Sequence, residues 1–321
     1  MYWTEPNWCA IGLAQTKSII HPHIKVLRSF FKSDRSPVSP VSPVPPPNYT
    51  DYKRNMKLLL RIAYDGRYYC GFQAQKNGGS VQERLTECLS GFFGTPCHVT
   101  GCSRTDAGVH ARGFCCTVHP VEPVSPDTDW WHIPPGRLHH AVNRLLMPHM
   151  AVNGVCLVPD AFHPRYDVQS KTYAYRMADA PADDPFADPF TWHVRKTVLP
   201  EGLARMHRAA GMLVGTYDFS SYMASGSKIT DPTRTIAAAS VTRTSEGLIT
   251  FRVTADGFLY NMVRILAGTL YEIGIGQRGA DLASVTAAHD RHAAGITAPP
   301  GGLTLEEVRY PDKWGVRWLC E

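Results

Sequence analysis

The sequence lacks the spacings that usually mark a bound metal, a dinucleotide or a membrane span. Its nine cysteines include no CxxC pair and its fourteen histidines no HExxH, so no paired metal-ligand spacing is present. No glycine fingerprint for a dinucleotide follows the first predicted strand. No apolar run approaches the roughly 20 residues that a membrane-spanning helix needs. These absences, with an odd number of scattered cysteines, favour a reduced, intracellular protein without metal.

The net charge of +5 is a weak indication of nucleic-acid binding. Residues 1–55 carry seven Lys/Arg and three Asp/Glu, whereas residues 56–321 carry 26 and 25. A surface that binds RNA must therefore come from local clustering of basic side chains and not from the total charge.

Residues 1–55 differ in composition from the rest of the chain and are predicted to be a disordered extension. Within them, residues 36–48 (SPVSPVSPVPPPN) repeat Ser-Pro-Val three times, which is typical of an extended polyproline-like linker. One hypothesis is an organellar transit peptide in residues 1–35, although such peptides are usually richer in Arg and Ser. The other hypothesis is that Met56 is the natural start of the protein.

From residue 56 the pattern becomes regular and predicts both strands and helices. Ser80-Val-Gln-Glu83 forms a capping box at the start of a helix, and Gly94 is a suitable stop. In the next predicted helix Leu138, Val142, Leu145 and Leu146 are expected to face the core. Strands are predicted near 57–64, 96–101, 113–119, 150–157, 168–178, 234–244, 247–254 and 303–310, and helices over 80–93, 135–146, 201–214, 258–273 and 280–289.

Two successive units of strands and helices indicate an α+β chain with two related halves, 56–160 and 161–321. A cleft between two such halves is a common ligand site. Between two predicted strands of the first half lies a polar, glycine-bearing loop, GCSRTDAGVHARG at 101–113. Such a loop can present a carboxylate, Asp106, at a surface. The alternative interpretation is a simple turn in which Asp106 caps the local backbone.

The loop resembles the signature of the tRNA pseudouridine synthase A (TruA) family, whose R-T-D-x-G-V-H-A motif carries the catalytic aspartate. Further segments resemble motifs of that family in the same order, so the resemblance covers about residues 56–310. These segments are IAYDGRYYCGFQAQ at 62–75, SVQERL at 80–85, FHPRYDVQSKTYAYR at 162–176, GTYDFSSY at 215–222, TRTI at 233–236, FLYNMVRILAG at 258–268 and PPGGLTLEEVRY at 299–310.

The resemblance implies that Asp106 is the nucleophile, since a carboxylate can form and later release a covalent intermediate. The sequence leaves open whether the carboxylate attacks the base or the sugar. Tyr173 matches the first tyrosine of the family's K-x-Y-x-Y motif, where the ring can stack on an extruded base and the hydroxyl can relay a proton. The alternative is that Tyr173 and Tyr175 only fill one face of a strand.

Arg264 lies within an apolar helical segment, where a charge is unfavourable unless it is paired, so a carboxylate partner is expected. The resemblance implies that this partner is Asp106, which the ion pair would orient and keep ionised. The alternative is an arginine whose side chain extends along the helix to solvent.

Other side chains near these motifs are candidates for weaker roles. Arg104 is a candidate for extruding or replacing the base or for contacting a phosphate, and alternatively for bracing the loop. His110 is more typical of a loop-bracing residue than of an acid or base. The candidate phosphate contacts, each alternatively an ordinary solvated charge, are Arg67, Arg165, Lys171 and Arg176.

The resemblance also implies a fold of two ferredoxin-like halves, whose sheets join into one continuous, mostly antiparallel sheet flanked by helices. The active site then lies in the cleft between the halves. The implied substrate is uridine 38, 39 or 40 in the anticodon arm of tRNA, bound by a cytoplasmic homodimer in which one tRNA can contact both subunits. The reaction is a redox-neutral rearrangement, so neither a metal nor an organic cofactor is implied.

Two other function classes remain open at this point. The first is a module that binds or chaperones tRNA without catalysis, which would be expected to lose Asp106, Tyr173 or Arg264. The second is a hydrolase that cleaves a nucleoside glycosidic bond, which would need a second acid or base near Asp106. All three of these residues are present. Release of free uracil would favour the hydrolase, and formation of pseudouridine without free base would exclude it.

Overall fold

The first strand and helix follow from the patterns in the sequence. In the computed structural model of the chain, the described residues are 56–76, 78–122, 133–180, 185, 188–227, 229–244 and 247–319. Strand β1 (Met56–Tyr64) leads to helix α1 (Val81–Phe93), whose capping box at Ser80 and Glu83 is formed as predicted. Gly94 ends the helix in the left-handed conformation, with φ of 66°. The predictions for residues 1–55 lie outside the described residues.

The first half continues through two strands, a helix and a fourth strand. Strands β2 (Cys97–Gly101) and β3 (His110–Pro120) flank the polar loop, and helix α2 (Pro135–Leu146) precedes strand β4 (Met150–Pro159). The expectation that Leu145 faces the core is wrong, because 47% of this residue is exposed. Leu138, Val142 and Leu146 are buried at spacings of four residues, and Leu145 falls outside that stripe.

The second half adds further strands and three helices. Strand β5 (Ser170–Ala178) is followed by the short strand β6 (Trp192–His193) and helix α3 (Pro200–Gly211). Strands β7 (Gly215–Asp218), β8 (Thr233–Arg243) and β9 (Ile249–Ala255) then precede helix α4 (Met262–Gly274) and helix α5 (Leu282–Ala287). Strand β10 (Leu303–Arg309) follows. No helix among the described residues has the length and apolar composition to cross a bilayer.

The ten strands of the described residues belong to one sheet, in the order β4-β1-β3-β10-β5-β9-β8-β7, with β2 paired to β3 and β6 to β5. The pairings are antiparallel except β10 with β3 and β5 with β6. The α+β class and the continuous, mostly antiparallel sheet are therefore confirmed. The described residues fall within one compact unit, Pro47–Glu321.

Strand β10 joins the two halves of the sheet. It pairs with β3 through Thr304 and His110, and with β5 through Leu305 and Tyr173. Gly113 permits the close approach of β3 and β10, because a Cβ atom there would collide with the carbonyl oxygen of Glu306. The start of β3 is thereby fixed against β10, which pairs on its other side with the strand that carries Tyr173.

The two faces of the sheet differ in polarity around β5. Tyr173 and Tyr175 alternate with Ala174 and Arg176, so the tyrosines lie on one face and the arginine on the other. Both tyrosines are buried, as are their register partners Val253 and Phe251 on β9. The helix-packed core therefore lies on the tyrosine side.

Candidate active site

The loop between β2 and β3 is held by hydrogen bonds from the first half. The Tyr64 hydroxyl lies 2.9 Å from the Thr105 hydroxyl, and the Phe72 amide donates to the Thr105 carbonyl oxygen at 3.1 Å. The Val109 amide donates to the Asp106 carbonyl oxygen at 3.2 Å, which closes a tight turn. Asp106 is therefore presented by a fixed backbone and is not the cap of a free loop.

Gly71 packs directly against this backbone, a contact that the sequence alone does not reveal. Its φ is +87°, a conformation that side chains other than glycine rarely adopt. A Cβ atom at this position would lie 2.7 Å from the Thr105 carbonyl oxygen and 3.3 Å from the Ala107 nitrogen. The glycine within the CGFQ segment thus supports the position of Asp106.

Asp106 and Arg264 form the predicted ion pair. The Arg264 Nη1 atom donates to Asp106 Oδ2 at 3.2 Å, and the two residues are 158 positions apart in the chain. The Arg264 side chain is 16% exposed and the Asp106 side chain is 30% exposed. The carboxylate is therefore paired and oriented while its edge remains accessible to a substrate. The alternative of an Arg264 side chain free in solvent is wrong.

Two further acceptors fix the Arg264 guanidinium. Nε donates to the Ala298 carbonyl oxygen at 2.8 Å, and Nη1 also donates to Asn261 Oδ1 at 2.8 Å. Asn261 caps the start of α4 with a positive φ of 57°, which asparagine tolerates better than most residues. This conformation explains why α4 begins at Met262 and not at 258. Asn261 lies in the NMVR segment of the sequence, but its hydrogen bond with Arg264 becomes apparent only in the structure.

Tyr173 lies beside the ion pair on the buried face of the sheet. Burial raises the pKa of its phenol well above the ordinary value, a hydrogen bond with the Ser103 side chain lowers it in part, and the Asp106 charge raises it further. The Phe258 ring meets the Tyr173 ring edge-on, with centroids 5.1 Å apart. Tyr173 is thus a protonated, rigid phenol next to Asp106, and the structure brings the three predicted catalytic side chains together.

Among the predicted basic contacts, Arg104 and Arg67 have different surroundings. Arg104 is exposed within the catalytic loop, two residues before Asp106. Arg67 donates to both carboxylate oxygens of Asp65, and its guanidinium lies 5.5 Å from the centre of the Phe190 ring. Arg104 is therefore available to a substrate, whereas Arg67 is already engaged.

Arg176, Arg165 and Lys171 also occupy distinct places. Arg176 lies on the face of the sheet opposite Tyr173 and donates to Glu306 Oε1 at 2.5 Å, so the structure does not bring it to Asp106. Arg165 is half-buried and Lys171 is 8% exposed. Lys171 lies on the same face of β5 as Tyr173, two residues earlier in the strand.

His110 braces the loop, in agreement with the interpretation favoured from sequence. Its Nδ1 atom accepts from the Gly66 amide at 3.0 Å and lies 3.3 Å from Asp65 Oδ1. Burial lowers the pKa of the imidazole, although the Asp65 charge raises it in part. A neutral ring that accepts a backbone hydrogen bond is a structural element and contacts neither Asp106 nor Tyr173 in the described bonds.

A cavity of about 570 Å³ lies beside His110 and Arg176. Its lining includes Asp65, Phe190 and Thr304, and does not include Asp106, Tyr173 or Arg264. The cavity is therefore separate from the candidate catalytic side chains, of which Asp106 keeps an exposed edge.

Comparison with known proteins agrees with this site. A family model described as tRNA pseudouridine synthase matches residues 209–311. The tRNA pseudouridine synthase A of Halalkalibacterium halodurans is 42% identical over 246 residues, covering 76% of this chain and 89% of the relative. The proteins of the same name from Syntrophotalea carbinolica and Ruminiclostridium cellulolyticum are 40% and 37% identical, covering 78% and 79% of this chain and 95% and 99% of the relatives. The chain therefore belongs to the tRNA pseudouridine synthase A family.

Proposed function

We propose that the protein isomerises uridine to pseudouridine in the anticodon arm of tRNA, at positions 38, 39 and 40, with Asp106 as the nucleophile. The observation that carries the proposal is the Arg264–Asp106 ion pair, which orients a carboxylate whose edge is accessible. Family membership supports the tRNA substrate, and the positions in the anticodon arm follow the family resemblance.

The reaction requires that one bond to uracil is broken and another is formed. Asp106 attacks the nucleotide, the bond between the ribose and the base nitrogen breaks, and the base turns before a carbon–carbon bond forms. A carboxylate bound to the sugar leaves as that bond forms, whereas a carboxylate bound to the base leaves afterwards. The ring carbon loses its proton and the freed nitrogen gains one, so no electrons are gained or lost. Attack on the base and attack on the sugar are both compatible with an accessible carboxylate.

Tyr173 and Arg264 have separate parts in this proposal. The Tyr173 ring provides a flat surface for the extruded uracil, and its phenol remains protonated because burial raises its pKa. Arg264 keeps Asp106 in place during attack and release. The family resemblance implies a cytoplasmic homodimer, in which one tRNA contacts both subunits, and no metal or organic cofactor.

The test is pseudouridine mapping on tRNA incubated with the wild type, Asp106→Asn and the matched surface control Asp160→Asn. Asp106→Asn removes the nucleophile while keeping a similar shape, so turnover should be abolished and tRNA binding retained. Asp160 is exposed and pairs with Lys57, so its variant should act like the wild type. Full turnover by Asp106→Asn, or release of free uracil by the wild type, would refute the proposal.

A further inference from the structure

Lys171 is a buried cation that the catalytic cluster does not use. The residue is 8% exposed, and its side chain forms no ion pair or hydrogen bond with any residue that the structure describes. A lysine side chain of this length usually reaches solvent or a carboxylate. A largely buried ammonium group without a carboxylate partner among the described residues is unfavourable, so an anion from outside the chain can supply the charge that Lys171 lacks.

The groups around Lys171 leave a local excess of positive charge. Burial lowers the pKa of its ammonium group, as do Arg165 and Arg234, whereas Cys102 and Asp256 raise it. Burial raises the pKa of the Cys102 thiol, so this side chain is neutral and cannot balance the lysine. The charges that act on the Lys171 pKa are thus those of two further cations and one carboxylate, Asp256.

That carboxylate is already engaged by the backbone. Asp256 Oδ1 accepts from the Thr235 amide at 3.1 Å and forms no ion pair with Lys171 among the described residues. The Arg234 Nη1 atom donates to the carbonyl oxygens of Asp231 and Thr233, and these hydrogen bonds hold the guanidinium next to Gly257. Hydrogen bonds to the backbone thus hold Arg234 and Asp256 in place, but no carboxylate among the described residues pairs with Lys171.

The sheet register places this cluster at a fixed distance from the catalytic side chains. Lys171 and Ile236 are both paired with Ala255, so β5 and β8 bring Lys171 and Arg234 to the same end of the sheet. Residues two apart on a strand lie roughly 7 Å apart on one face, which is the separation of Lys171 from Tyr173. An anion bound at Lys171 would lie next to a base stacked on Tyr173.

We propose that Lys171, with Arg165 and Arg234, binds one backbone phosphate of the RNA, adjacent to the uridine that enters between Tyr173 and Asp106. The inference rests on the proposed function and names a subsite within it. A phosphate supplies the negative charge and the acceptor oxygens that Lys171 lacks. The subsite would hold the backbone of the extruded nucleotide while the base turns.

The first experiment separates this role from a purely structural one. Lys171→Met removes the charge and keeps an unbranched side chain of similar length. Since it replaces an unpaired buried charge by an apolar group, the variant should unfold at a higher temperature without RNA and bind an anticodon stem-loop RNA about 10- to 100-fold more weakly. Lys196→Met is the control at an exposed lysine, and should change neither value. A lower Tm with unchanged RNA affinity would overturn the proposal.

The second experiment identifies the phosphate. Anticodon stem-loop RNAs carry a neutral methylphosphonate at one position at a time, and the Kd of each is measured with the wild type, Lys171→Met and Arg234→Gln. One substitution next to the target uridine should weaken wild-type binding about 10-fold or more and have little further effect on Lys171→Met. If no single position is coupled to Lys171, the proposal fails even when the variant is less stable.

These measurements also distinguish the subsite from the proposed function. Binding and its salt dependence do not require turnover, so the phosphate coupling can be present in a protein that makes no pseudouridine. Loss of one phosphate contact should lower the slope of log Kd against log salt by about 0.7 to 0.9. Pseudouridine formation by the wild type with no such coupling would leave the proposed function intact and refute the subsite.

Discussion

Removal of the Arg264 guanidinium tests the central feature of the site. Arg264→Met keeps the aliphatic part of the side chain in α4 but removes the donors to Asp106, Asn261 and Ala298. Arg264→Lys keeps the charge but cannot reach all three acceptors with one planar group. The two variants therefore separate the effect of charge from that of geometry.

The magnitude follows from the observed contacts. At 3.2 Å the attraction between Arg264 and Asp106 is about 5 kcal/mol for an effective dielectric constant of about 20. Desolvation of both groups offsets much of this value, and each acceptor left without a donor costs about 1–3 kcal/mol. We expect Arg264→Met to lose about 2–4 kcal/mol of unfolding free energy, and Arg264→Lys to lose less.

The assay combines thermal unfolding with single-turnover pseudouridine formation at saturating enzyme. Because a displacement of about 1 Å can lower a rate about 100-fold, we expect Arg264→Met to lose at least this factor while binding tRNA. Arg208→Met, at an exposed position of α3, is the matched control. Wild-type turnover by Arg264→Met would refute the reasoning that the ion pair positions the nucleophile.

Three further predictions concern the support of the site. Gly71→Ala should reduce turnover about 100-fold, because the new Cβ displaces the Thr105 carbonyl. The control Gly91→Ala, on the open surface of α1, should instead raise the unfolding free energy by about 0.5–1 kcal/mol. Equal effects of the two substitutions would contradict the role of Gly71. Tyr173→Phe should retain tRNA binding and lower turnover in single-turnover assays, and unchanged turnover would remove the proton role from the phenol. Burial lowers the pKa of His110, so the unfolded state binds more protons and stability falls as the pH drops through the ordinary histidine range. His110→Asn should make that decline in Tm shallower, and an unchanged slope would exclude His110 as its source.

Local patterns predicted most elements of the fold. The capping box at Ser80 and the left-handed stop at Gly94 each depend on neighbouring residues, and each is present. Two boundaries could not be predicted in this way. Strand β3 begins at His110 and not at 113 because its first residues pair with β10. Helix α4 begins after Asn261, whose side chain is turned to Arg264.

In the candidate site, too, some residues were predicted from the sequence and others became apparent only in the structure. The motif around Asp106, and the cost of a charge within an apolar helix, predicted both members of the Arg264–Asp106 pair. The burial of Lys171 could not be read from the KTYAY segment, because it results from side chains on separate strands and loops. Gly71 was likewise missed, since its importance lies in one backbone contact across space.

The position of β10 has a consequence for biosynthesis. This strand follows the other nine in the chain yet lies between β3 and β5, near the middle of the sheet. Until it leaves the ribosome, the facing edges of β3 and β5 lack their partner and can pair wrongly. His110 also lacks Thr304, so a nascent chain that already carries Asp106 and Arg264 cannot yet hold them in register. Catalytic competence should therefore arise abruptly, at the end of synthesis, and premature termination before residue 303 should yield inactive protein.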